Sequence, residues 1–116
     1  MPPYSDGNVI LPNFERIAKV LSEQPAAVPF PSIAVALTGD GKERRILWNV
    51  SYSAAPTTLR AALQGALVNK DVEFFDLDTS INPSGETRSL IVNVPFVRIN
   101  IGALSPLTLT TGRIFQ

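Results

Sequence analysis

From Ser32 onward, apolar side chains recur at every second position in short runs separated by turn-forming clusters, and no run between them carries helical spacing. A period of two places alternate residues on opposite faces of a strand, so this part of the chain is expected to fold as β-sheet. Ile33, Val35 and Leu37 alternate with Ala34 and Ala36. Gly39-Asp40-Gly41-Lys42 then predicts a hairpin turn into a strand whose Ile46, Trp48, Val50 and Tyr52 share one face. Arg45, Leu47, Asn49 and Ser51 take the other. Further strands are expected over Leu59 to Gly65, Val72 to Leu77, Thr87 to Val94, Phe96 to Ile101 and Leu107 to Ile114. The turns between them include Asn69-Lys70-Asp71 and the loop Asp78 to Gly85. About seven strands at this spacing predict an all-β fold, an antiparallel β-sandwich of jelly-roll type over residues 32–116.

Residues 1–31 have a different character. Six of the ten prolines fall here (Pro2, Pro3, Pro12, Pro25, Pro29 and Pro31), and each removes a backbone donor. The segment is therefore expected to be an extended N-terminal arm. Within it, a short helix is expected over about 13–23, capped by Asn13, with Phe14, Ile17, Val20 and Leu21 on one face and Pro25 ending it. Such a short helix is marginal in isolation and needs a surface to dock on. Tyr4, Val9, Ile10, Leu11, Phe14, Ile17 and Leu21 are the expected partner-interface residues, because an apolar stretch broken by prolines gains stability by lying across another surface.

Composition removes several function classes. The chain has neither cysteine nor histidine, which leaves no disulfide, thiolate, Ser-His or Cys-His pair and no imidazole metal ligand. No catalytic activity and no cofactor are expected. Ten basic and ten acidic residues give zero formal net charge, so neither nucleic acid nor an anionic membrane is an expected partner, and no apolar run reaches the length of a membrane span. At 17% charged residues the surface is poor in charge for a free monomer, which favours a protein that ends in an assembly.

Asp76, Asp78 and Glu86 are the weak candidates for a cation site, being oxygen ligands close in sequence, with Asp76 and Asp78 read onto one strand face; solvated edge carboxylates explain the same pattern. Phe74 and Phe75 are adjacent and must face opposite sides, so one of them, with Leu47, forms a candidate exposed contact patch. Trp48 and Tyr52 are read as core by their phase.

The stretch Tyr52-Ser53-Ala54-Ala55-Pro56-Thr57-Thr58, Leu63-Gln64-Gly65-Ala66-Leu67, Phe75-Asp76-Leu77-Asp78-Thr79-Ser80, Pro83-Ser84-Gly85-Glu86 and Val97-Arg98-Ile99-Asn100 resembles a small β-domain of structural proteins in tailed-bacteriophage virions. Ala66 stands where such domains usually have serine, Asn69-Lys70-Asp71 replaces an Asp-Gly turn, and the loop after Ile101 is shorter. The resemblance covers about half the chain and none of residues 1–31. It implies a capsid decoration or cement protein that stabilises the phage head as a homotrimer on the major capsid protein, assembled in the host cytoplasm and located in the virion. The alternative it implies is a tail, baseplate or fibre module that binds host-surface carbohydrate.

Overall fold

Trp48, Ile46 and Val50, on alternate positions of one strand, are completely buried, and they mark the plane between two antiparallel sheets. The computed structural model describes residues 16–37 and 43–116. Its strands are β1 (Ile17–Glu23), β2 (Phe30–Pro31), β3 (Val35–Ala36), β4 (Arg44–Tyr52), β5 (Thr58–Ala66), β6 (Phe75–Ser80), β7 (Glu86–Val92), β8 (Phe96–Ser105) and β9 (Thr110–Phe115). A 3-10 turn, Asp71–Glu73, lies between β5 and β6. The first sheet has the order β1-β9-β4-β7; in the second, β2-β8-β5-β6, β3 also pairs with β8. The fold is an all-β sandwich, as the alternation predicts.

The core is filled from both inner faces. Val20, Leu21, Ile46, Trp48, Val50 and Ile114 come from the first sheet, and Leu59, Leu63, Val97, Ile99 and Ile101 from the second. Each such side chain contributes about 1.5–3 kcal/mol by leaving water. Gly65 leaves room for Leu77 and Val94, since a Cβ there would stand 2.7 Å from each.

The helix expected over about 13–23 is not formed: Ile17–Glu23 is β1, paired antiparallel with β9, and Arg16 and Gln116 exchange backbone hydrogen bonds of 2.9 Å in both directions. A register shift between Lys19 and Leu21 explains the misleading pattern. The bulge lets the consecutive residues Val20 and Leu21 both turn inward, which imitates helical spacing. Pairing with β9 also satisfies the backbone groups that a short isolated helix leaves exposed. The expected arm of residues 1–31 is thereby shortened, because β1 and β2 are strands of the sandwich; Leu21, expected at a partner interface, is 3% exposed and belongs to the core. Tyr4, Val9, Ile10, Leu11 and Phe14 lie outside the described residues.

The hairpin expected at Gly39–Lys42 is also corrected. The turn itself is outside the described residues, but β3 pairs with β8 in one sheet while β4 pairs with β7 and β9 in the other. The strands that flank it therefore lie in different sheets.

Candidate functional site

The acidic residues singled out by sequence do not converge. β6 pairs with β5 through Leu63↔Asp78 and Gln64↔Asp76, so Leu77 is an extra residue in a bulge. A bulge reverses the phase of a strand, and it sends Asp76 to the outer face and Asp78 to the inner one. The reading of both on one face is therefore wrong, and no group of three acidic residues able to hold a cation occurs among the described residues.

Asp78 instead joins a polar seam where edge strands β6 and β7 of the two sheets meet. Its Oδ2 accepts the indole N–H of buried Trp48 at 2.9 Å and the Arg88 Nε–H at 2.8 Å. Arg88 also donates to Glu86 at 2.9 Å, and Ser80 donates its hydroxyl to the same carboxylate. Arg88 sits opposite Trp48, and Glu86 opposite Val50, in the β4–β7 register, so both point inward from a sheet edge. The seam closes one side of the sandwich with charges that are paired internally.

These contacts set the protonation of the acids. Burial raises the carboxyl of Asp78, but the hydrogen bonds from Arg88 and Trp48 and the charge of Arg88 outweigh it and hold the group below the usual carboxylate range. Glu86 is held low by the Ser80 hydroxyl and then, against some burial, by Arg88. Asp76 is lowered by hydrogen bonds from Gln64 and Arg60. All three folded values are depressed, so below about pH 4 the unfolded chain binds more protons than the folded one, and stability falls with pH. The urea midpoint is expected to stay level from about pH 7 to 5 and to drop as the pH falls through the folded values. An Arg88→Gln variant should show a shallower acid limb; an unchanged limb would remove the seam as its cause.

Tyr52, half-buried beside this seam, has a buried hydroxyl with no hydrogen-bond partner. Burial, and next the charge of Glu86, push its phenol above the ordinary value. A buried unpaired hydroxyl is destabilising, so Tyr52→Phe is expected to keep or raise stability, by up to about 1 kcal/mol in urea titration. A loss of that size would show that the hydroxyl has a partner.

The outer face of the second sheet is similarly occupied by its own contacts. Asp76 accepts from Arg60 at 2.8 Å and from Gln64 at 2.9 Å, and Arg98 donates to Gln64 at 2.8 Å and to Asp71 at 2.7 Å. The Arg98 guanidinium also lies 4.1 Å from the centre of the Phe74 ring. Of the two candidate phenylalanines, Phe74 is thus covered by Arg98, while Phe75 is 50% exposed.

The outer face of the first sheet is different. Ile17 lies opposite Phe115, and Phe115 opposite Leu47, so an apolar row crosses β1, β9 and β4. Ile91 on β7 stands opposite Arg45, one step diagonally from Leu47. Ile17 and Ile91 are 63% and 56% exposed. The neighbouring row runs Lys19, Arg113, Asn49 and Thr87. Lys19, Arg45 and Arg113 give the face three basic groups, and its four strands contribute no carboxylate to it; Glu43 precedes β4. The expected patch of Leu47 with Phe74 or Phe75 is not formed, because Leu47 lies on β4 of the first sheet and Phe75 on β6 of the second; Leu47 instead shares this row with Ile17. Sequence reasoning missed Phe115 and Ile91, whose outward phase could be counted only from a correct strand register. No protein family, characterised protein or solved structure matches this chain.

Proposed function

We propose that this chain is a non-enzymatic virion structural protein, a capsid decoration or cement protein of a tailed bacteriophage, which acts by adding protein–protein contact across neighbouring subunits of the head. The observation that carries the contact mode is the apolar row Ile17, Phe115 and Leu47, flanked by basic side chains, on the outer face of a sheet. Ile17 and Ile91 leave the two ends of this row exposed, with Leu47 and Phe115 half-buried between them, and exposed apolar surface at such a place is characteristic of protein interfaces. The resemblance of the Tyr52 to Asn100 strands and turns to tailed-phage virion domains supports the setting, with a homotrimer on the major capsid protein as its expected form. Added contact area across subunit boundaries raises the cost of separating them. The acids best suited to chemistry, Asp78 and Glu86, are engaged with Arg88, which favours a mechanical role over a chemical one.

A carbohydrate-binding tail or fibre module needs Trp48 or Tyr52 as an open stacking ring. Trp48 is wholly buried and Tyr52 half-buried, so the contact reading is carried forward. The test is the mass of the full chain in solution, followed by co-sedimentation with assembled capsids lacking it. A trimer that pellets with capsids at saturable stoichiometry is the expected result. A monomer that stays in the supernatant would sink the proposal.

A further inference from the structure

We infer that the outer face of the first sheet is the docking surface for residues 1–15 of this same protein. Three observations point to one occupant. The first is position: the fifteen residues before Arg16 join the described chain at the end of β1, where Arg16 pairs with Gln116, one step from the Ile17–Phe115 pair that begins the apolar row. The second is chemistry. Residues 1–15 contain Tyr4, Val9, Ile10, Leu11 and Phe14, with Asp6 and Glu15 as their charged side chains and no lysine or arginine. The face presents the complement, apolar side chains beside Lys19, Arg45 and Arg113. Apolar contact supplies the attraction, and opposite charge fixes the match and speeds the encounter.

The third observation excludes the obvious competitor, a second copy of the same face. Two such faces would bring three basic groups against three basic groups, a like-charge contact that costs rather than stabilises. Reach is no obstacle. Fifteen residues span up to roughly 50 Å when extended, whereas β1 and β7 are three strand spacings apart, about 14 Å. The occupant is thus the same segment whether it comes from its own chain or from a neighbour. The assembly reading above requires a neighbour, and the docking surface does not.

The experiment uses the full chain with a photo-reactive phenylalanine analogue in place of Ile10, in a mixture of light and heavy-isotope protein, with cross-linked peptides mapped by mass spectrometry. Cross-links are expected on the outward residues of β4, β7 and β9, above all near Leu47, Ile91 and Phe115. Lys19→Glu and Arg113→Glu, outward positions that leave the core untouched, are expected to lower that yield several-fold with an unchanged melting temperature, as is raised salt. Cross-links concentrated elsewhere, for instance around Leu67 to Phe75, would overturn the docking surface, as would a yield no higher than that from the exposed control position Thr57. The isotope pattern separates the two proposals. Light-to-heavy pairs on this face support both, and exclusively same-label pairs on this face keep the docking surface while sinking assembly through this segment. Light-to-heavy pairs elsewhere do the reverse.

Discussion

Trp48→Ala is expected to cost about 3–5 kcal/mol in urea unfolding, the range for truncating a large buried aromatic side chain. Trp48 is 0% exposed and lies between the two sheets with Ile46, Val50, Leu63 and Ile114 in the same core. Truncation opens a cavity that strands fixed by their ladders on both sides cannot close. It also removes a donor from Asp78, which accepts the indole N–H at 2.9 Å. Trp48→Phe separates the two effects, because it restores most of the volume without the N–H; its loss is expected to be about 1–2 kcal/mol. Domains of this kind have about 5–15 kcal/mol in total, so the alanine variant should be close to unfolding at moderate temperature. A loss under about 1.5 kcal/mol would mean that the sheets close over the gap, and the rigid packing argument would fail.

The second large effect is expected at Gly85. This residue has φ of 87° at the end of the turn that carries the chain from β6 in one sheet to β7 in the other. The turn is built by Asn82, whose carbonyl accepts the Gly85 N–H at 3.0 Å and whose side chain accepts the Ser84 N–H at 2.9 Å. A Cβ at Gly85 would stand 2.8 Å from the Val50 carbonyl oxygen and 3.2 Å from the Ser51 Cα. Both are backbone atoms of a central strand and cannot step aside. Left-handed strain alone costs about 1–2 kcal/mol, and the collision adds to it, so Gly85→Ala is expected to lose about 2–3 kcal/mol. Gly102→Ala is the control, since its added Cβ meets nothing nearer than 3.7 Å. Equal losses at the two glycines would show that neither the left-handed φ of Gly85 nor the collision with β4 is the cause.

The parts of the fold legible in the sequence are those where strands are regular. Ile46, Trp48 and Val50 face inward and Arg45, Leu47 and Asn49 outward, as the alternation predicts, because β4 runs nine residues without a bulge. β1 and β6 depart from the alternation for the same physical reason. Each contains an extra residue, at Val20 and Leu77, and one insertion moves every later side chain to the other face. Composition around Gly39 to Lys42 suits a hairpin and a crossing between sheets equally, since turn chemistry depends on φ and not on the partner of the next strand. The seam was half visible. Asp78 and Glu86 are conspicuous in the sequence as acids, but Trp48, thirty residues before Asp78, becomes its donor only when the sheets stack. The apolar row needed the pairing of three strands distant in sequence, so Leu47 stood out alone while Phe115 did not.

The bulges also bear on how the protein avoids unwanted polymerisation. Every open sheet invites a strand from another molecule, and a chain without net charge lacks the repulsion that keeps molecules apart. Here β1 and β6 are kinked by their bulges, β6 adds the inward carboxylate of Asp78, and β2 is two residues long and contains Pro31. Among the described sheet edges, only β7 is both long and straight, and it directs Glu86 and Arg88 inward. Strand-by-strand growth into fibres is therefore obstructed at the edges of both sheets.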